Sequence, residues 1–129
     1  MNAKACVVSK TVRYQELATE HQVQKSVLQH LLFFAKPDVY WFAIPNAGRR
    51  TMRMGARMVA EGLTRGVADL CIMLHEGRTG WMECKTAVGR QRPDQKFFQE
   101  RCEALGHRYA MVRSVEEATE VLREWGALR

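Results

Sequence analysis

Gly66-Val67-Ala68-Asp69-Leu70-Cys71-Ile72-Met73-Leu74, then His75-Glu76-Gly77-Arg78-Thr79-Gly80, then Trp81-Met82-Glu83-Cys84-Lys85, is the stretch that decides the fold. Its first part is apolar and β-branched, its middle carries the glycines that turn a chain back, and its last part opens on an aromatic residue. That pattern predicts a β-hairpin. Alternate side chains on a strand share a face roughly 6.6 Å apart, at about 3.3 Å rise per residue. Glu83 and Lys85 are therefore expected on one face, with Met82 and Cys84 on the other. A turn centred on Glu76 puts Asp69 directly across from Glu83, and cross-strand partners lie about 4.5–5.5 Å apart at Cβ.

Two carboxylates that close repel each other unless a cation lies between them. Oxygen donors of this kind suit a hard divalent ion, Mg²⁺ or Mn²⁺. Such an ion lowers the pKa of a bound water, and Lys85 is placed to position that water or to offset charge developing on a phosphate. A Glu-x-Lys alternation alone is more often a solvated ion pair. Asp69 shifts the balance, because strand propensity disfavours Asp at the start of an apolar run.

Asp69 followed at this distance by Glu83-x-Lys85 on an apolar hairpin resembles the PD-(D/E)XK nuclease superfamily. Gly66-Val67-Ala68-Asp69-Leu70 with Gln95 downstream is similar, more narrowly, to the virus-type replication-repair nuclease (VRR-NUC) family. The resemblance runs from about Glu20 to Trp125, and it departs at Ala68, where the family often has proline. It implies an α/β fold, a restriction-endonuclease-like PD-(D/E)XK core with a mixed central sheet flanked by helices. It further implies a catalytic set of Asp69, Glu83, Lys85, Gln95 and Glu20. Mg²⁺, with Mn²⁺ able to substitute, would be held by Asp69, Glu83, the Cys84 carbonyl and Glu20, the last directly or through water.

Upstream of the hairpin, residues 1–15 have no clear period and read as a tail or dimer arm. Thr19 is a candidate N-cap, and Val23, Val27, Leu28, Leu31 and Leu32 recur at helical spacing, predicting a helix over 20–34. Val39-Tyr40-Trp41-Phe42-Ala43-Ile44 reads as a strand beside the hairpin. A loop from Pro45 leads to a second helix over 51–61, with Gly62 as its stop. Met52, Met54 and Met58 in that helix are expected in the core or a subunit contact. Between Asn46 and Arg65 stand Arg49, Arg50, Arg53, Arg57 and Arg65 against the single acid Glu61. Arginine's planar fork donates to phosphate oxygens in pairs, so this segment is a candidate phosphate-backbone contact. The resemblance adds weight to Asn46, Arg49 and Arg50 within it.

Downstream, Pro93 is a favourable first-turn residue and Gly106 a C-terminal signal, so a helix over 93–105 is expected, with Phe98, Cys102 and Leu105 as its buried stripe. Gln95 lies in its first turn among Arg90, Arg92 and Lys96, near a positive helix end suited to an anion. Arg108 to Val112 reads as a strand. Ser114-Val115-Glu116-Glu117 reads as a capping box opening a last helix along Val115, Ala118, Val121, Leu122 and Trp125. A helix between two strands implies a parallel crossover.

At 129 residues the chain fits one domain, 1–129. A net charge of +6 favours a polyanionic partner, nucleic acid before membrane. Cys6, Cys71, Cys84 and Cys102 lack metal-binding spacing and read as reduced thiols of an intracellular protein. No apolar run approaches the roughly 18 residues of a bilayer span, and the N-terminus lacks a signal-type apolar region, so a cytoplasmic location without membrane contact is expected. The residues and the resemblance together point to a Mg²⁺-dependent endonuclease of DNA, selecting structure over sequence. Small standalone members of the family imply a homodimer acting on branched DNA such as four-way junctions, with no small-molecule cofactor. A non-catalytic basic DNA-binding module is the alternative from another class, and flaps, nicked duplex or RNA are alternative substrates.

Overall fold

The computed structural model describes residues 18–45 and 52–129. Asn46, Arg49, Arg50, Cys6 and the expected N-terminal arm lie outside the described residues.

Helix α1 (Glu20–Phe34) begins where the Thr19 hydroxyl accepts from the Gln22 amide and the Gln22 side chain accepts from the Thr19 amide. This reciprocal pair satisfies two donors that a helix start otherwise leaves orphaned. Val23, Val27 and Leu31, four apart, form its buried stripe. Strand β1 (Tyr40–Ala43) and helix α2 (Met52–Ala60) follow. Next come β2 (Leu70–Met73), a 3₁₀ turn over His75–Gly77 and β3 (Thr79–Cys84). The chain closes with α3 (Pro93–Ala104), β4 (Arg108–Val112) and α4 (Val115–Glu124). The fold is α/β, with a four-stranded sheet in the order β1-β2-β3-β4. The first two pairings are antiparallel and the last, across α3, is parallel.

The register explains how the sheet divides its side chains. Leu70 pairs with Met82 and Ile72 with Gly80, while Cys84 pairs with Val112. This face meets α1 and α4, and Val27, Leu31, Ile72, Met82, Val112 and Leu122 form a solvent-free core there. Gly80 is needed in that layer, since a Cβ on it would lie 2.4 Å from the Trp125 ring. The opposite face carries Cys71, Trp81, Glu83 and Tyr109, and α3 lies over it. Phe98 of α3 packs edge-on to Trp81, with ring centres 5.4 Å apart, and against Tyr109 at 6.1 Å.

Several expectations need correction. Leu105 is exposed at the end of α3, and the buried positions of that helix are Gln95 and Cys102, with Phe98 half-buried. Met52 and Met54 are exposed, and α2 buries none of its residues, so the methionines are not core. The second hairpin arm starts at Thr79, two residues before Trp81, because the reversal is completed by Glu76 and Gly77, both at positive φ. The final capping box is offset. Ser114 accepts from the Glu117 amide as expected, but the Glu117 carboxylate accepts from the Arg113 amide.

Candidate active site

Asp69 precedes β2 by one residue, and the pairing Leu70↔Met82 continues to place it across from Glu83. Its Oδ2 accepts from the Cys84 amide at 2.8 Å, which pins the carboxylate to the end of β3. Glu83 is buried, only 2% exposed, beneath the first turn of α3. There the Gln95 side chain donates Nε2–H to Glu83 Oε1 at 2.8 Å and accepts from the Arg92 amide at 2.9 Å. The other oxygen, Oε2, is buried without a hydrogen-bond partner. Burial, followed by the charge of Asp69, pushes the Glu83 carboxyl up to about 8, with Lys85 opposing. Two ionised carboxylates facing each other are acceptors only, so this arrangement calls for either a proton or a cation.

Lys85 follows β3, its amide held by the Val112 carbonyl at 2.9 Å. Its ammonium is nearly solvent-free and lies 3.6 Å from Glu20, whose side chain is half exposed at the start of α1. Among the described residues no three His, Cys, Asp or Glu side chains form a metal-holding group. Glu20 is paired with Lys85, lines the same cleft as Asp69 and Glu83, and its charge adds to the rise at Glu83. The Asp69–Glu83 pair still fits a hard divalent ion, which commonly takes one or two protein carboxylates and completes its sphere with water and phosphate oxygens. The stranded Oε2 is a further donor suited to it.

The site opens into a cleft of about 1020 Å³ between α2 and the first turn of α3. Glu20, Asp69, Glu83 and Gln95 line one side of it. Arg92 also lines it, its guanidinium paired with Asp94 at 3.2 Å. Arg90, Lys96 and Arg53 are exposed. The start of α3 is partly occupied from within, because the Asp94 side chain accepts from the Gln95 amide at 3.0 Å. Cys71, Cys84 and Cys102 are buried free thiols, and burial raises Cys84 to about 12 and Cys102 to about 11, so all three stay protonated.

The fold as a whole can be set against known structures. A solved structure described as "VRR_NUC domain" aligns with 84% of this chain and 99% of its own, at a TM-score of 0.57 and 19% identity. The chain has a VRR_NUC-type fold. At that identity the VRR_NUC likeness is one of backbone architecture. No family model matches the sequence, and a search of curated proteins finds no match. Among the described residues no helix is long and apolar enough to cross a membrane.

Three residues around the site have contacts that the sequence does not reveal, although Gly66 itself stands at the head of the deciding stretch. Gly66, at φ +85°, runs so close to α3 that a Cβ on it would lie 2.3 Å from the Asp94 carbonyl oxygen. Arg113, just past β4, donates from one guanidinium nitrogen to the carbonyls of Thr86 at 2.6 Å and Gly89 at 2.7 Å. Gln91 ties the other end of that loop to Gln99 and the Tyr109 hydroxyl. The segment between Lys85 and α3 is thus clamped at both ends.

Proposed function

We propose that the chain is a divalent-cation-dependent nuclease that hydrolyses phosphodiesters in DNA, branched DNA such as four-way junctions included. The observation that carries the reading is Glu83: a buried carboxylate facing Asp69, with one oxygen held by Gln95 and the other unpaired. A folded chain keeps such an uncompensated group at a stability cost, and the usual reason is a site.

Asp69 and Glu83 would hold Mg²⁺ or Mn²⁺, with the Cys84 carbonyl as a further donor and Glu20 acting through water. When bound, the ion supplies Lewis acidity toward a phosphate oxygen and lowers the pKa of a coordinated water. Gln95 fixes the Glu83 carboxylate plane and locks its own orientation by accepting from Arg92. Lys85 would present a nearly dry ammonium, paired with Glu20, to orient the attacking water and to offset negative charge gathering on the phosphate. Arg53, Arg90, Arg92 and Lys96, with Asn46, Arg49 and Arg50, would contact the sugar-phosphate backbone, which fixes position without reading bases. A homodimer would bring two such sites to the two strands of a two-fold junction.

The test is cleavage of a labelled panel of four-way junction, flap, duplex, single strand and RNA in Mg²⁺, Mn²⁺ or EDTA. Asp69→Asn is run beside the parent chain. Metal-dependent cutting that the variant loses by at least about a thousandfold is expected. Binding of DNA with no cutting under any metal would instead favour a non-catalytic binding module.

A further inference from the structure

Lys85 is the group in the candidate site whose head is held least. Its ammonium approaches Glu20 at 3.6 Å, which makes an ion pair and not a hydrogen bond. It makes no second ion pair among the described residues. The Glu20 side chain is itself 54% exposed, so it is a loose anchor. A lysine head rides on a flexible stem of four methylenes, and one long contact leaves it many positions. Yet the Lys85 side chain is only 6% exposed, so something holds the stem.

The chain just after Lys85 supplies that support. It makes a turn over residues 86–89, in which the Gly89 amide donates to the Thr86 carbonyl at 3.3 Å. The turn folds back onto the lysine. A Cβ built on Gly89 would lie 2.9 Å from Thr86 Oγ1 and 3.5 Å from Lys85 Cδ, so the Gly89 backbone passes alongside the stem. The tip of the turn, Ala87 and Val88, is exposed, and burial therefore does not fix it. Arg113 does. One guanidinium nitrogen donates to the Thr86 and Gly89 carbonyls at 2.6 and 2.7 Å, the two ends of the turn. Arg113 forms no ion pair among the described residues, so its charge is directed at these two carbonyls, and charge-assisted hydrogen bonds are the stronger kind. Its own backbone is anchored, because the Arg113 amide donates to Glu117 Oε2 at 2.9 Å. The preceding residue, Val112, accepts from the Lys85 amide at 2.9 Å. The end of β4 thus holds both the backbone of Lys85 and the turn that braces its side chain.

We propose that Arg113 is a positioning residue for Lys85: by fixing both ends of the 86–89 turn against the stem, it keeps the ammonium desolvated at the candidate site. The inference deepens the nuclease reading by naming what sets the reach of its lysine. It rests on that reading for its catalytic meaning, whereas the placement of Lys85 is measurable without cleavage.

The experiment is acetylation of the full metal-free chain by a small N-hydroxysuccinimide ester at one fixed pH, read lysine by lysine by peptide mass spectrometry. Exposed Lys25 and Lys96 serve as internal references. In the parent chain Lys85 should react at least about tenfold more slowly than either reference. Arg113→Met keeps the length of the stem and removes the donors, and Arg113 is only partly buried against loop carbonyls, so the core is not at stake. The variant should speed Lys85 about fivefold or more relative to Lys25 and Lys96, and Arg113→Lys, which retains a charged donor, should restore part of the protection. In cleavage of DNA, Arg113→Met should lower kcat about tenfold with KM within about twofold, as expected for a misplaced group that acts in the chemical step. Unchanged Lys85 reactivity in Arg113→Met, or a rise shared equally by Lys25 and Lys96, would overturn the proposal. So would a raised KM with kcat unchanged, which would assign Arg113 to substrate binding. A parent chain that cuts no nucleic acid would remove the nuclease reading, and the labelling would still decide whether Arg113 places the lysine.

Discussion

Replacing Glu83 by Gln should make the metal-free protein more stable at alkaline pH, although it would abolish the proposed chemistry. In the folded chain the Glu83 carboxyl is raised from 4.5 to about 8, by burial first and then by Asp69. Between those two values the unfolded chain has lost its proton and the folded chain still holds it. Stability must therefore fall as pH rises from about 4.5, and the loss is complete above about 8. At about 1.4 kcal/mol per pH unit the full penalty is roughly 5 kcal/mol, which relaxation and water entry reduce, so a loss of at least about 2 kcal/mol is expected. The amide of Glu83→Gln keeps the oxygen that accepts from Gln95, replaces the stranded Oε2 with a donor aimed toward Asp69, and cannot ionise. Urea unfolding in EDTA at pH 5, 6, 7, 8 and 9 measures this. The parent chain should lose stability across the series relative to the variant, and Mg²⁺ at millimolar concentration should restore the parent alone. Parallel curves for the two proteins from pH 5 to 9 would refute the reasoning, because Glu83 would then ionise as freely in the fold as in the unfolded chain.

Other residues give independent checks. Lys85→Ala removes the charge that opposes the rise at Glu83, so in the same titration the loss of stability should still begin near the free carboxyl's pH, but become larger and continue to higher pH. Gly66→Ala would force a methyl into the Asp94 carbonyl at a positive-φ position, and thermal or urea unfolding should show a loss of about 2–3 kcal/mol. Arg113→Ala releases the carbonyls of Thr86 and Gly89, and hydrogen exchange should accelerate across residues 86–91 while β3 stays protected. Arg113→Lys should recover only part of that protection, having no planar fork. Gln95→Ala leaves Glu83 Oε1 and the Arg92 amide without their side-chain partner, and calorimetry should record divalent-ion binding weakened about tenfold or more.

Most of the element order could be read from the sequence, because the signals were local. Helix α1 occupies 20–34 as its cap and valine spacing require, and β4 occupies 108–112, the short apolar run read as a strand. The pairing of Asp69 with Glu83 was also legible, since a hairpin's register follows from the position of its turn. The exposure of α2 was not legible. Its composition, Met-Arg-Met-Gly-Ala-Arg-Met-Val-Ala, has the period of a core helix, and periodicity says which side is apolar without saying what meets it.

The same limit applies at the site. The sequence by itself determined which groups carry charge, that two carboxylates would face each other across a hairpin, and that the chain is basic overall. Only the tertiary structure decided that α3 lies over Glu83, and that burial raises a carboxyl whose sequence neighbours are Met82 and Cys84. It also decided that Glu20 meets Lys85 across 65 positions of chain, and that Arg113 reaches back to the loop after β3. The physical reason is the range of the forces involved. Turns, caps and alternation are fixed by neighbours a few residues apart, whereas desolvation and ion pairing depend on which distant segments the packed core brings together.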